Sequence, residues 1–366
     1  MMFFAEILVV FLLVQDAILW LFLKLNFKDY VKNEVYEFSF VSILIPSRNE
    51  EENLPACLES IVKLDYPKDK LQIIFGDDRS TDETGAILKA FEDKNDHVKL
   101  VQIIEGDSAK MNGKANALSQ MAKYADGEVF LFTDADCQVP QDWVRSMVLA
   151  QTNTGAGIIT GITHIKADKI YGKMQGMDWW LTLGMVKVMS DLGFSVTSMG
   201  NNMLITKDAY QAVGGFEGIP FSLTEDFEIA RNIQTKGFKV FQQVSSDNLI
   251  ATKPQNGFLQ LLQQRKRWMS GAMSLPLYWR LILAVQVLFF PSILLLVFLH
   301  PLLALCLWIA KVLIQGLFIY SFALKSGSRL AVLDLLLFEI YYMITSWSTI
   351  LYYFWPSKTD WKGRKY

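Results

Sequence analysis

Thr133-Asp134-Ala135-Asp136-Cys137 closes an apolar run, Val129-Phe130-Leu131-Phe132, that predicts a buried parallel strand. Side chains alternate along a strand, so two carboxylates one residue apart at its end turn toward the same spot. Two such oxygens suit a hard divalent cation that takes further ligands from a substrate phosphate. Magnesium and manganese both fit carboxylate and phosphate oxygens. The same residues also read as a polar strand-to-loop turn, where Asp is common, so neighbouring motifs decide between the two. A second acidic pair, Glu225-Asp226, follows Thr224 at the start of a helical pattern through Phe227, Ile229 and Ala230. Thr224 caps that helix and puts Asp226 in its first turn, where the dipole favours an ionised carboxylate. An ordinary acidic first turn has the same local sequence. Gln264, Arg267 and Trp268 fall at i, i+3 and i+4 and share one helix face.

The elements that must position these groups lie between residues 38 and 275, where strand-like and helix-like patterns alternate. Val41 to Ile45 is a short apolar run closed by Pro46, and a helical pattern follows through Leu54, Cys57, Leu58, Ile61 and Leu64. Leu71 to Phe75 is the next strand, ending at Gly76-Asp77-Asp78, with Thr81 or Asp82 as cap of the helix after it. Val98 to Ile103 reads as a third strand, Lys114 to Ala125 as a helix, and Val129 to Thr133 as the fourth strand. This rhythm predicts an α/β domain whose mostly parallel sheet is covered by helices. Ligands of such sheets bind beyond the carboxyl ends of the strands. Pro46-Ser47-Arg48-Asn49-Glu50, Gly76-Asp77-Asp78 and Asp134-Ala135-Asp136 end the first, second and fourth strands, so all three clusters are expected at one edge.

Of the 366 residues, 52% are hydrophobic, and the excess sits at the two ends. Residues 2–23 are interrupted only by Glu6, Gln15 and Asp16 and are long enough to span a bilayer. Without a basic start or a small-residue cleavage pattern, an uncleaved anchor is favoured over a signal peptide. Lys24, Lys28 and Lys32 follow it, and the positive-inside rule puts the chain from residue 24 onward in the cytoplasm. Leu281 to Leu324 offers two spans with a break at His300-Pro301, and about Leu335 to Trp355 offers a third. The basic tail from Lys358 to Tyr366 should also be cytoplasmic, yet four spans would leave it outside. Either one C-terminal segment is re-entrant or interfacial, or the span count differs; Asp334 and Glu339 point to an interfacial section. A net charge of −2 gives no sign of nucleic-acid binding. Cys57, Cys137 and Cys306, like His97, His164 and His300, are too scattered for a zinc or disulfide pattern.

Seven segments, ordered along residues 41–270, resemble the family 2 glycosyltransferases, inverting enzymes with the GT-A nucleotide-sugar fold. They are Ile45-Pro46-Ser47-Arg48-Asn49-Glu50-Glu51, Asp77-Asp78-Arg79-Ser80-Thr81-Asp82-Glu83-Thr84, Gly113-Lys114-Ala115-Asn116-Ala117-Leu118, Asp134-Ala135-Asp136, Gly200-Asn201-Asn202, Thr224-Glu225-Asp226 and Gln264-Arg265-Lys266-Arg267-Trp268. The last resembles the Gln-x-x-Arg-Trp motif of polysaccharide synthases and ceramide glucosyltransferases. The resemblance implies that Pro46, Arg48 and Glu50 surround the donor's nucleobase and ribose, and that Asp78 contacts the uracil or ribose. It implies that Lys114 holds the donor near its phosphates, beside Asp134, and that Asp136 with Asp134 ligates a divalent cation, Mg2+ or Mn2+. Asp226 is implied as the base that takes the acceptor's proton. Glu225, Gln264, Arg267 and Trp268 are implied on the acceptor and pyrophosphate side. Arg265 and Lys266 are expected to face lipid headgroups or solvent, and Phe216 and Glu217 to approach the acceptor.

These readings divide the chain into a transmembrane anchor over 1–24, a cytoplasmic GT-A domain over 38–275, transmembrane or interfacial helices over 281–356 and a basic cytoplasmic tail over 357–366. The expected activity is transfer of a sugar from a nucleotide sugar to a lipid or lipid-linked saccharide at the cytoplasmic face of the cell (inner) membrane. UDP is the nucleotide implied by the resemblance, with GDP and dTDP open. A processive polysaccharide synthase is the second reading, and a non-catalytic nucleotide-sugar-binding membrane scaffold the third.

Overall fold

The computed structural model describes residues 2–31, 37–194, 197–358 and 360–365, the side chains of Met2, Asp360, Trp361 and Lys365 excepted. Lys32 of the basic trio and Thr359 and Tyr366 of the tail lie outside the described residues. The chain opens with helix α1 (Met2–Leu25) and continues through β1 (Val41–Ser47), α2 (Leu54–Val62), β2 (Leu71–Asp77), α3 (Thr84–Glu92), β3 (Val98–Gln102), α4 (Gly113–Ala122), β4 (Val129–Phe132) and α5 (Trp143–Thr154). There follow β5 (Ile158–Thr160), β6 (Ile162–Ile165), α6 (Ile170–Asp191), β7 (Met203–Thr206), α7 (Lys207–Ala212), α8 (Glu225–Thr235), β8 (Val240–Gln242), β9 (Leu249–Thr252) and α9 (Phe258–Met273). The apolar end holds α10 (Leu277–Val287), α11 (Phe289–Leu299), α12 (Pro301–Lys325) and α13 (Val332–Phe354), before a hairpin of β10 (Asp360–Trp361) and β11 (Arg364–Lys365).

Seven strands form one sheet in the order β3-β2-β1-β4-β7-β5-β8. β1 is parallel to β2 and β4, and β2 to β3, whereas β7 runs antiparallel between β4 and β5. The sheet is therefore mixed and mostly parallel, and β1, β2 and β4 end side by side. Alternation along the strands sends Val41, Ile43 and Ile45 to one face, against α2, α3 and α5. Leu44, Ile74, Phe130 and Phe132 meet α4, α7 and α8 on the other. Trp143, fully buried under the first face, donates through Nε1 to Asn202 Oδ1 at 2.9 Å. Asn202 in turn donates to the carbonyls of Ile162 and Asn248, which ties β6, β7 and the turn before β9 together.

α6 joins this domain to the apolar helices. Its Met177, Trp180, Leu181 and Leu183 pack with Leu23 of α1, Phe318 and Phe322 of α12 and Phe338 of α13. α1 and α12 run in the same direction, since Lys311 pairs with Asp16 at 2.6 Å and Trp20 donates to Ser321 at 3.0 Å. Four helical stretches are long and apolar enough to cross a membrane: Phe3–Leu25, Leu277–Leu299, Pro301–Lys325 and Val332–Phe354. Pro291, with no N–H to give, lies just past the join of α10 and α11 in the second stretch. Pro301 opens α12 right after the expected break at His300.

α13 packs back on the domain at both its ends. Its first turn meets α6, where Asp334 lies 3.7 Å from Lys173. In its middle, the Tyr341 ring lies 6.4 Å from that of Tyr171. Just past its end, the Trp355 carbonyl accepts from Lys266 of α9 at 2.9 Å. α13 thus begins and ends against the same domain and does not carry the chain away from it.

Candidate active site

At the shared edge of β1 and β2, Ser47 and Asp77 are in register. Just beyond, Asn49 (φ 52°) and Arg79 (φ 57°) take left-handed backbone, a conformation costing about 1–3 kcal/mol outside glycine. Asn49 Oδ1 accepts from Thr81 N at 2.9 Å and Ser80 Oγ accepts from Asn49 N at 3.1 Å, which locks the two turns together. Pro46 is half-buried in β1 opposite Gly76. Arg48 donates to the Asp78 carbonyl at 3.0 Å. The carboxyl groups of Glu50 and Asp78 are both buried, 5% exposed each as residues. Asp82, rather than Thr81, serves the turn before α3, accepting from Thr84 N at 3.1 Å.

β4 brings Asp134 and Asp136 to the same edge, both half-buried. Burial, then the charges of Asp134 and Glu50, push the Asp136 carboxyl up to about 6, with Lys362 opposing them. The thiol of Cys57 behind them is pushed up to about 12 by burial and by Asp136, Glu50 and Asp134. The carboxylates of Glu50, Asp134 and Asp136 are therefore near enough to repel one another. Among the described residues, no group of three or more His, Cys, Asp or Glu side chains is arranged to hold a metal ion alone. The mutual repulsion of the acids suits a divalent cation that completes its ligands with phosphate oxygens.

Lys114 links this cluster to α8. Its Nζ lies 2.5 Å from Asp134 and 3.8 Å from Glu225. Burial works against its charge, but Asp134, Glu225 and Asp226 outweigh it and hold the ammonium above its ordinary range. Asn112 caps α4 by accepting from Ala115 N at 2.9 Å, and its amide donates to Glu225 at 2.8 Å. Glu225 is thus turned inward, where it orients the start of α4. Burial raises its pKa against the pull of Lys114. Asp226, beside it, accepts from Gly200 N at 2.7 Å and from Phe227 N at 2.8 Å. A Cβ on Gly200 would lie 2.9 Å from that of Asp226, so glycine is what permits this approach. Thr224 occupies the N-cap of α8 but makes no side-chain cap bond, contrary to expectation.

α9 leans on this region, for a Cβ on Gly271 would lie 2.6 Å from Thr224 Oγ1. Gln264 and Arg267 are half-buried on it, and the charge of Arg267 bears on Glu225. Trp268 is 37% exposed and meets Trp179 of α6 edge-on at 5.6 Å. Two expectations for this helix are corrected. Arg265 does not face lipid or solvent; it pairs with the buried Asp178 of α6. Lys266 is buried as well and donates to the carbonyls of Trp355 and Ser357 at 2.9 and 2.8 Å and to Ser357 Oγ at 3.0 Å. Phe216 packs in the core against Phe132, and Glu217 pairs with Lys123 at 2.8 Å.

The sequence reading missed two residues here. Arg364 of β11 donates to both oxygens of Asp78, at 2.8 and 2.9 Å, and Lys362 pairs with Glu50. The signal was a short one: Lys362-Gly363 between Trp361 and Arg364 is the kind of dipeptide that turns a two-residue hairpin.

A parallel-edged sheet whose acids gather at the strand ends and reach a helix N-terminus through a lysine is the build of a GT-A glycosyltransferase. The sequence profile described as Glycosyl transferase family 21 matches residues 8–366, and the chain belongs to that family. A beta-monoglucosyldiacylglycerol synthase from Synechocystis sp. is 27% identical over 243 residues, 66% of this chain and 49% of the relative. A poly-beta-1,6-N-acetyl-D-glucosamine synthase from Staphylococcus epidermidis is 28% identical over 245 residues, 66% of this chain and 56% of the relative. The chain thus spans about half the length of these curated relatives. A mannosyltransferase from Pyrobaculum calidifontis, solved with GDP-Man and Mn2+, aligns over 97% of this chain and 99% of its own with a TM-score of 0.63 at 16% identity. That likeness bears out the GT-A fold.

Proposed function

We propose that this glycosyltransferase moves a sugar, with inversion, from a nucleoside diphosphate sugar to a lipid or lipid-linked acceptor at the cytoplasmic face of a membrane. The observation that carries the reading is the continuous line Glu50, Asp136, Asp134, Lys114, Glu225 and Asp226, which joins the strand edge to the start of α8. Pro46, Arg48, Glu50 and Asp78 take the base and ribose, and Lys114 the phosphate side. Asp136 with Asp134 would hold a divalent cation, whose charge would offset that of the departing diphosphate. Arg267 meets the same diphosphate, and Gln264 and Trp268 border the acceptor. Asp226, fixed by two backbone N–H groups, takes the proton of the acceptor hydroxyl as that oxygen attacks the face of the sugar opposite the diphosphate. Two supports favour a lipid acceptor. The similarity to a glucosyldiacylglycerol synthase is one. The other is α10, whose Leu277, Tyr278, Leu281 and Ile282 are exposed directly after the Trp268 helix. In this reading α1, the α10–α11 stretch and α12 cross the bilayer, and α13 lies along its inner face.

The test is turnover of labelled nucleotide sugars with Mn2+ or Mg2+ and a lipid extract. Asp226→Asn is expected to keep donor binding and lose about 10²–10⁴-fold in turnover; undiminished turnover would remove Asp226 from its role. Similarity to a polysaccharide synthase favours a second reading, processive synthesis, which a product ladder in place of a single added sugar would establish.

A further inference from the structure

The C-terminal hairpin returns to the donor edge and fills it with two cations. Arg364 grips Asp78 through two parallel hydrogen bonds of 2.8 and 2.9 Å, the geometry in which a guanidinium binds a carboxylate most firmly. The same guanidinium lies on the backbone at the start of α4, with Nη1 1.4 Å from where a Cβ on Gly113 would stand. Lys362 pairs with Glu50 and reaches the Arg48 carbonyl at 3.4 Å. Lys362 and Gly363, with φ of 48° and 78°, make the tight turn that pairs Trp361 with Arg364. The root of the hairpin is fixed independently, because the buried Lys266 holds the carbonyls of Trp355 and Ser357. An apolar-flanked basic tail left to itself would hang in solvent; this one is anchored at its start and docked at its end.

Charge gives the docking a purpose. Glu50, Asp77, Asp78, Asp134, Asp136, Glu225 and Asp226 outnumber Arg48, Arg79, Lys114 and Arg267 around the edge. A nucleoside diphosphate entering so acidic a cleft is repelled unless further cations meet it. We propose that the hairpin is a working part of the donor site, with Lys362 and Arg364 exchanging Glu50 and Asp78 for the oxygens of the incoming nucleoside diphosphate and closing over it. This rests on the nucleotide-sugar reading above and adds two donor-binding residues to it.

The experiment compares full-length wild type with Lys362→Ala, Arg364→Ala, Arg364→Lys and Lys266→Met. It measures binding of UDP, GDP and dTDP with Mn2+, donor and acceptor KM, and thermal melting. Each alanine variant should weaken nucleotide binding and raise donor KM by roughly tenfold or more, with acceptor KM and melting unchanged. Arg364→Lys should recover part of the loss, and Lys266→Met, which only frees the root, should shift donor KM in the same direction. Unchanged nucleotide binding in the alanine variants overturns the proposal, and so does tighter binding, which would make the hairpin a plug that competes with donor. If wild type binds none of the three nucleotides and transfers no sugar, the nucleotide-sugar reading itself fails, a result distinct from either.

Discussion

Asp226 is held at both carboxylate oxygens by backbone N–H groups, and that grip depends on a neighbour without a side chain. Gly200→Ala should displace the carboxylate and lower turnover by about 10²-fold, as misplacements near 1 Å do, while nucleotide binding persists; turnover with a fixed donor against calorimetric binding separates the two. Asp136 gives a pH dependence. Its carboxyl sits near 6, so protons compete with a cation below that value and not above it. The apparent affinity for Mn2+ should be about tenfold weaker at pH 5 than at pH 7, and Asp136→Asn should abolish both the step and most of the metal response. The acids were legible because strand ends announce themselves through hydrophobic runs that stop. The partners of Arg265 and Lys266 were not. A juxtamembrane basic cluster reads alike whether it faces lipid or turns inward, and Asp178 and Trp355 lie 87 and 89 residues away in sequence.

Elements dock on one another through polar pairs as much as through apolar faces. Asp178 of α6 and Arg265 of α9 are both nearly buried, and Lys266 on the next position ties α9 to the end of α13. Arg265→Met should cost about 3–5 kcal/mol, since it strands the Asp178 carboxylate. The double variant Asp178→Leu with Arg265→Met should recover most of that loss in detergent melting curves, because replacing both partners leaves no buried charge. The strand and helix pattern from Val41 to Phe132 was readable in advance to within a few residues, since each element carries its own periodicity. The antiparallel insertion of β7 beside β4 was not, because strand order is set by packing across the sheet and leaves no mark on the local pattern.

In the proposed topology the α10–α11 stretch and α12 form a return trip across the bilayer, while α13 stays beside the GT-A domain. A protease site placed after Ser328 should be cut from the same side of sealed vesicles as one placed in the exposed loop at Glu105–Lys110, and a site at His300 only from the other side. Cutting of all three from one side would contradict this course. Sequence alone could count apolar stretches here but could not foresee what α13 packs on, because its partners Lys173, Tyr171 and Lys266 come from distant segments. The shared packing of α6 has a practical consequence. Met177, Trp180, Leu181 and Leu183 have their partners on α1, α12 and α13, so a fragment ending after α9 would expose a broad greasy face. Such a truncated catalytic piece, expressed without its helices and without surfactant, should precipitate rather than yield a soluble enzyme.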